Sequence, residues 1–336
     1  MFAKIRRLTQ ARAWPDREFS VPLEDLGLYD RRFAGVVTPT PEVGAPKIGI
    51  SDQFLARASD YAAAFEATEE FKKLFAAAIG TVRPVRPAIL DIGAGSGANS
   101  VLPCLDLFPG CRIVATDLSP DLLAILRCYV ERSGISDRVT CVCTDATLNW
   151  FRPAAFDIAL GAAILHHLMD PIAALKAAYS ALRPGGLAIF YEPFEGWVLV
   201  GQAYRSIIDL ADAGAVLPTR VRQFLLAMCR DLDARIGTDK SGEHFPHMDD
   251  KWLFTHGYVR AAAEGVGFRV KNILPHMPYG LAHHYRGRVE LQLRRAGLSD
   301  DLPDWAWRII DRLDSSLSPE MKAHCPLEAT IILEKP

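Results

Sequence analysis

Leu90-Asp-Ile-Gly-Ala-Gly-Ser-Gly97 is the stretch from which the fold of this chain can be read. An apolar run of strand character, Ala88 to Ile92, enters three glycines spaced by two, and a helical stretch from Ala98 to Phe108 follows. Glycine reaches positive φ and lets a ligand approach the backbone closely. A helix start offers free N–H donors, and the carboxyl ends of parallel strands form the crevice where ligands bind. The turn is therefore read as a seat for a nucleotide-like ligand. A tight strand–helix turn with no ligand is the plainer reading of the same residues.

Outward from the turn, short apolar strands alternate with helices. Arg112–Asp117, Val139–Cys143, Phe156–Leu160 and Leu187–Tyr191 are strand candidates, separated by helical stretches from Pro120 to Ser133 and Pro171 to Leu182. This βαβα order predicts a doubly wound, mainly parallel α/β sheet. Pro103 inside the first helix predicts a kink or a late start. Upstream, residues 1–50 mix Pro, Gly and charge without periodicity and are expected to form an arm. Two helices are expected before Gly80, with Phe54, Tyr61, Phe65, Phe71, Leu74 and Phe75 as a core-facing stripe, and the Pro-rich Thr81–Pro87 reads as a linker. Downstream come a helical insertion from Trp197, a helix ending near Gly267, a strand from Phe268, a second helical excursion from His276 to Pro326 and a last strand, Ala329–Leu333. The expected organisation is an arm and helical cap (1–85), a ligand-binding core (86–196), a helical lid (197–250) and a returning part of the core (251–336) carrying the second insertion (276–326).

Composition narrows the function. Of 336 residues half are apolar and the net charge is -2, so the basic footprint of most nucleic-acid binders is missing. No run is apolar enough to span a bilayer, and Met1-Phe-Ala-Lys-Ile-Arg-Arg leads into no apolar signal core, so a soluble, cytoplasmic protein without membrane or nucleic-acid partners is expected. The seven cysteines read as reduced, and Cys141-Val-Cys143 has no second pair at zinc-ligand spacing.

Taken together, these motifs resemble the class I, Rossmann-like S-adenosylmethionine-dependent methyltransferases. The resemblance covers residues 88–192 well and Thr255–Leu274 moderately, and Leu182-Arg-Pro-Gly-Gly186 before the fifth strand is especially characteristic. It implies a seven-stranded sheet and S-adenosylmethionine as cofactor. It places Asp91, Gly93, Ala94, Gly95 and Gly97 against the methionine end and Asp117, followed by Leu118, at the ribose. Asp145 and Ala146 would meet the adenine, and Gly161 closes the fourth-strand motif. A carboxylate suits the ribose because it accepts two hydrogen bonds from vicinal hydroxyls and donates none. Asp145 serves equally well as a helix cap or turn residue. A nicotinamide-dependent oxidoreductase is the rival enzyme, but its fingerprint spaces the glycines as G-x-G-x-x-G. A non-catalytic cofactor-binding module of the same fold is the other rival.

Methyl transfer is an in-line displacement that chiefly needs alignment, with a proton acceptor for some nucleophiles. His166, His167 and Glu192 are the candidates, because the turns after the fourth and fifth strands open onto the crevice; Asp157, inside its strand, is the weakest. Packing or salt bridging is the alternative role for each. Glu243-His-Phe-Pro-His-Met-Asp-Asp250 could ligate a divalent metal, but Pro246 and the lack of a helical frame favour a polar loop over the pocket, and no metal is expected. His283-His284-Tyr285 is equally unspecific, and Arg220, Arg222 and Arg230 read as a solvated helix face. The expected acceptor is a small-molecule or glycan-type compound methylated on oxygen; nitrogen and carbon acceptors and the oligomeric state stay open.

Overall fold

Among the described residues nine strands form one sheet: β1 (Leu23–Asp25), β2 (Val36–Pro39), β3 (Ala88–Ile92), β4 (Arg112–Asp117), β5 (Val139–Cys143), β6 (Phe156–Ala162), β7 (Leu182–Pro193), β8 (Arg269–Pro275) and β9 (Glu328–Glu334). Their spatial order is β1-β2-β5-β4-β3-β6-β7-β9-β8. Pairing is parallel from β2 to β7 and antiparallel at β1–β2, β7–β9 and β8–β9. The chain winds from β3 outward to β5, then returns to β6 on the other side. The switch point therefore lies at the carboxyl end of β3, where such sheets bind ligands. The computed structural model describes residues 14–45, 57–80, 85–298 and 300–336.

Two of the nine strands correct the seven-stranded expectation, and both come from the arm. Val36 and Thr38 of β2 are fully buried against β5, and Thr38 Oγ1 donates to the Cys143 carbonyl at 2.8 Å. Segments of three and four residues are too short to show the alternation by which a strand is recognised from sequence.

The central strands alternate between two apolar faces. Leu90, Val114, Ala159 and Phe190 belong to one core layer; Ile89, Ile113, Leu160 and Ile189 belong to the other. The second layer is covered by α2 (Thr68–Ile79), α3 (Val101–Leu107) and α4 (Pro120–Arg132). The first is covered by α5 (Pro171–Ala181) and α8 (His256–Val266). Helix α3 starts late, with Pro103 in its first turn, where no intrahelical N–H is required. Ser119 and Asp170 cap α4 and α5 through side-chain oxygens.

The aromatic stripe divides between two helices. Phe71 and Phe75 of α2 are buried, but Phe65 of the preceding α1 (Ala58–Phe65) is 40% exposed and Tyr61 only half-buried. The stripe is core in α2, whereas α1 packs along α4 as a cap. Phe54 and residues 81–84 of the linker lie outside the described residues.

The helical excursions, expected as separate insertions, share one core. Helices α6 (Trp197–Asp212) and α7 (Thr219–Arg235) from the first pack with α9 (His284–Arg295) and α10 (Asp304–Ser316) from the second around the fully buried Tyr204 and Tyr285. A short α11 (Pro319–His324) leads into β9. Among the described residues no helix is long and apolar enough to cross a membrane.

Candidate active site

The glycine turn leaves β3 with Gly93 at φ +72°, and a Cβ there would lie 2.5 Å from Ile164 Cγ1. A Cβ on Gly161 would lie 2.6 Å from Ile164 Cγ2. The two glycines thus seat one isoleucine from the loop after β6, so that loop rests on the turn. Gly161 is buried beneath Ile164 and Phe190.

Asp117 closes the turn from the end of β4. Its Oδ2 accepts the Gly95 amide at 2.8 Å and its Oδ1 the Ser119 amide at 2.7 Å. Burial raises its pKa, against the opposing pull of these amides. Ala94 N donates to the Thr116 carbonyl at 2.8 Å, and Gly97 lies against Leu126 and Val101. Leu118, beside Asp117, is half-buried, and its carbonyl faces Cys143 Sγ. Asp91 is fully buried, and Ser100 Oγ is the one polar side chain that pulls its pKa down, too poorly aligned for a full hydrogen bond. Burial pushes the Asp91 pKa up to about 8.

After β5, Asp145 Oδ1 accepts the amide and hydroxyl of Thr147 at 2.8 and 2.7 Å, a turn-capping arrangement. Ala146 packs half-buried against the core. The buried Glu42, from the arm, holds this loop: it accepts from the Asp145 amide at 3.1 Å, the Thr144 hydroxyl and the Trp150 indole N–H. Nothing in the aperiodic arm distinguishes Glu42 from its neighbours, because its partners lie some hundred residues away in sequence.

The three proton-acceptor candidates meet on one side of the turn. Ala163 at φ +63° bends the chain out of β6. Glu192, fully buried at the end of β7, gathers the bend: Oε1 accepts the Ile164 and Leu165 amides at 3.1 and 2.7 Å, and Oε2 accepts the His166 amide at 3.2 Å and its Nδ1–H at 2.7 Å. His166 Nε2 then faces Asp250 Oδ1 at 3.3 Å. His167, less buried, directs Nδ1 to the Asp249 carbonyl at 3.1 Å and to Asp250 Oδ1 at 3.4 Å. Arg235, at the end of α7, pairs with Asp250 Oδ2 at 3.0 Å. Burial works against charge on His166, but Asp250 and then Glu192 outweigh it and raise its pKa to about 9. For His167 burial and the neighbouring His166 lower it.

Asp157, by contrast, is ion-paired with Arg183 and accepts the Ala88 amide, at the end of the sheet away from the crevice. Tyr61 on α1 has its pKa raised by burial and then by Asp249, Asp117 and Asp250. One phenol therefore senses both the acid that ends β4 and the 249–250 pair. Sequence reasoning took Tyr61 as core and found no role for Arg235; contacts across the fold reveal both.

This topology and these glycines coincide with a match to the methyltransferase domain family over residues 90–190. Residues 90–190 are a methyltransferase domain. Within this segment the chain carries the motifs of the class I, S-adenosylmethionine-dependent type, and S-adenosylmethionine is the cofactor they imply. The chain is 32% identical over 102 residues to a ubiquinone biosynthesis O-methyltransferase of Idiomarina loihiensis, covering 30% of this chain and 40% of that protein. It is 36% identical over 102 residues to an uncharacterized Synechococcus protein, covering 30% of this chain and 24% of that one. The chain thus spans less than half the length of these curated relatives. Among solved structures, a chain of the complex containing the Haloferax volcanii Trm112 methyltransferase activator superposes with a TM-score of 0.50 at 16% identity, covering 84% of this chain and 96% of that one. That likeness shows the fold.

The methyltransferase domain fits its cofactor on structural grounds. The buried Asp91 carboxyl, with acceptor capacity unused, is chemically matched to an ammonium group, and Asp117 retains acceptor capacity for hydroxyls. The Gly95 side of the turn is open, a Cβ there meeting only Leu122 at 3.5 Å.

Proposed function

We propose that the chain transfers a methyl group from S-adenosylmethionine to an oxygen of a small-molecule acceptor bound between the glycine turn and the His166–His167–Asp249–Asp250 cluster. The observation that carries this reading is Ile164, which rests on both Gly93 and Gly161 and so seats the loop bearing His166 and His167 on the glycine turn. Cofactor anchor and polar cluster thus lie on either side of one turn. Relatives named as ubiquinone biosynthesis O-methyltransferases and a demethylmenaquinone methyltransferase add support for a small acceptor. A glycan-type acceptor is the alternative that an acceptor screen separates.

When bound, the cofactor supplies an electrophilic methyl on a sulfonium. The protein's share is alignment and proton handling. Asp117 would hold the ribose, Asp145 and Ala146 the adenine side, and Asp91, Gly93, Ala94, Gly95 and Gly97 the methionine end. Glu192 and His166 are committed to each other, so they position the loop; His167 and the two aspartates reach the acceptor side and take up its proton. The two helical insertions and α1 exclude water from this space.

Calorimetric titration with S-adenosylmethionine and S-adenosylhomocysteine, beside a nicotinamide dinucleotide control, tests the reading. Micromolar binding, about -8 kcal/mol, is expected for the first two and none for the control. Asp117→Ala should weaken it by roughly 1 to 3 kcal/mol. Binding of the nicotinamide compound alone would overturn the assignment.

A further inference from the structure

We propose that His166 Nε2, His167 Nδ1 and Asp250 Oδ1 form a site for one divalent transition-metal ion on the acceptor side of the crevice. One ligand atom from each residue lies within 4.8 Å of the other two. The nitrogen-to-oxygen spans of 3.3 and 3.4 Å match the ~3.4 Å edge of a tetrahedron built on bonds of about 2.1 Å.

The donor count points the same way. Glu192 accepts three backbone amides and takes His166 Nδ1–H as a fourth donor, which fixes the ring of His166. The other ring nitrogen, Nε2, then faces the Asp250 Oδ1 carboxylate oxygen at 3.3 Å, a span that a proton or a metal ion can bridge. The Asp249 carbonyl and Oδ1 lie 3.1 and 3.5 Å from His167 Nδ1, so oxygens of two adjacent residues surround this nitrogen. A metal ion at this place would displace the protons that otherwise bridge His166 Nε2 and His167 Nδ1 to these oxygens.

The surroundings are those of a metal ligand set. The carboxylate–histidine contact from Glu192 fixes the ring and tautomer of His166, as outer partners of ligating histidines do. Arg235 holds Asp250 by its other oxygen, Oδ2, leaving Oδ1 directed at the two imidazoles. Two imidazoles and a carboxylate, with open positions, suit Zn2+, Mn2+ or Fe2+ better than Ca2+ or Mg2+. The 243–250 loop lacks a frame of its own; its frame is the 163–167 bend of another element.

A metal there would bind the acceptor hydroxyl and ease loss of its proton, with Asp249 the acceptor left when His167 and Asp250 ligate the ion. That role rests on the methyl-transfer reading, whereas binding of the ion does not. The full chain, stripped with chelator, is titrated with Zn2+ and Mn2+ by calorimetry, and with Co2+ followed by its visible ligand-field absorption. One ion per chain is expected. His167→Ala and Asp250→Asn should each lower affinity at least tenfold, and Glu192→Gln, a positioning change, about 10- to 100-fold. His247→Ala should leave it unchanged, and circular dichroism checks that each variant is folded. No saturable binding by the wild type, or equal binding by a folded His167→Ala/Asp250→Asn double variant, overturns the proposal. S-adenosylhomocysteine binding is measured on the same stripped protein. If it persists without metal binding, only the metal site falls; if metal binds and the nucleoside does not, the metal site stands and the methyl-transfer reading falls.

Discussion

Replacing Glu192 by alanine removes the acceptor for four donors at once: the Ile164, Leu165 and His166 amides and His166 Nδ1–H. Glu192 is fully buried, so water reaches these groups only if the loop opens. An unsatisfied buried donor costs about 1 to 3 kcal/mol, and partial reopening of the loop offsets part of the sum. A net loss on the order of 4 kcal/mol is expected, in the range for breaking a buried charged pair and a large part of a typical domain's 5 to 15 kcal/mol. Glutamine separates hydrogen bonding from packing. Its carbonyl can keep the Ile164 and Leu165 amides, but its NH2 group opposes the two donors of His166, so about half the loss is expected. Urea unfolding followed by circular dichroism reads both values, with an unchanged m-value confirming a comparable transition. The loop carries Ile164, which rests on Gly93 and Gly161. S-adenosylhomocysteine affinity should therefore fall in parallel with stability. A loss below about 1 kcal/mol for Glu192→Ala, or equal losses for the two variants, would refute the view that this carboxylate organises the loop.

Gly93→Ala puts a Cβ into Ile164 at a positive φ, and should both destabilise the fold by more than about 1 kcal/mol and weaken cofactor binding, while Gly185→Ala, with open space around it, should spare binding; thermal melts with and without S-adenosylhomocysteine compare them. His284 is fully buried, and burial followed by the nearby Arg288 lowers its pKa to about 4, with Glu328 and Asp314 opposing and Lys322 assisting. The unfolded chain binds this proton first as pH falls. Stability should therefore hold above about pH 6.5 and drop by up to about 3 kcal/mol toward pH 4, and His284→Phe should flatten that acid limb in denaturant titrations. Asp91 has the opposite sign: its carboxyl, raised to about 8, keeps a proton in the folded state that the unfolded chain has lost above about pH 4. The cofactor-free protein should lose up to about tenfold in its folded-to-unfolded ratio per pH unit from pH 5 to 8, and Asp91→Asn should remove that slope.

Local sequence was enough for whatever depends on neighbours along the chain. The strand–turn–helix of Leu90 to Phe108, the alternation through β7, the caps at Ser119 and Asp170 and the late start of α3 at Pro103 all rest on φ preferences and contacts within a few residues. The acids ending β4 and following β5 could be located for the same reason, since each sits at a strand end that the pattern itself marks. Tertiary structure alone decided what Asp117, Glu192 and the histidines touch. It joined arm strand β2 to β5 and brought Glu42 to Thr144 across 102 positions. It also set Asp250 and Arg235 against the bend after β6 and gathered two distant insertions into one helical layer. These contacts join segments whose separation carries no periodicity, and their energy comes from excluding water around polar groups that are ordinary in isolation. A glutamate in an arm and an aspartate in a loop become candidate site residues only when the sheet places their partners beside them.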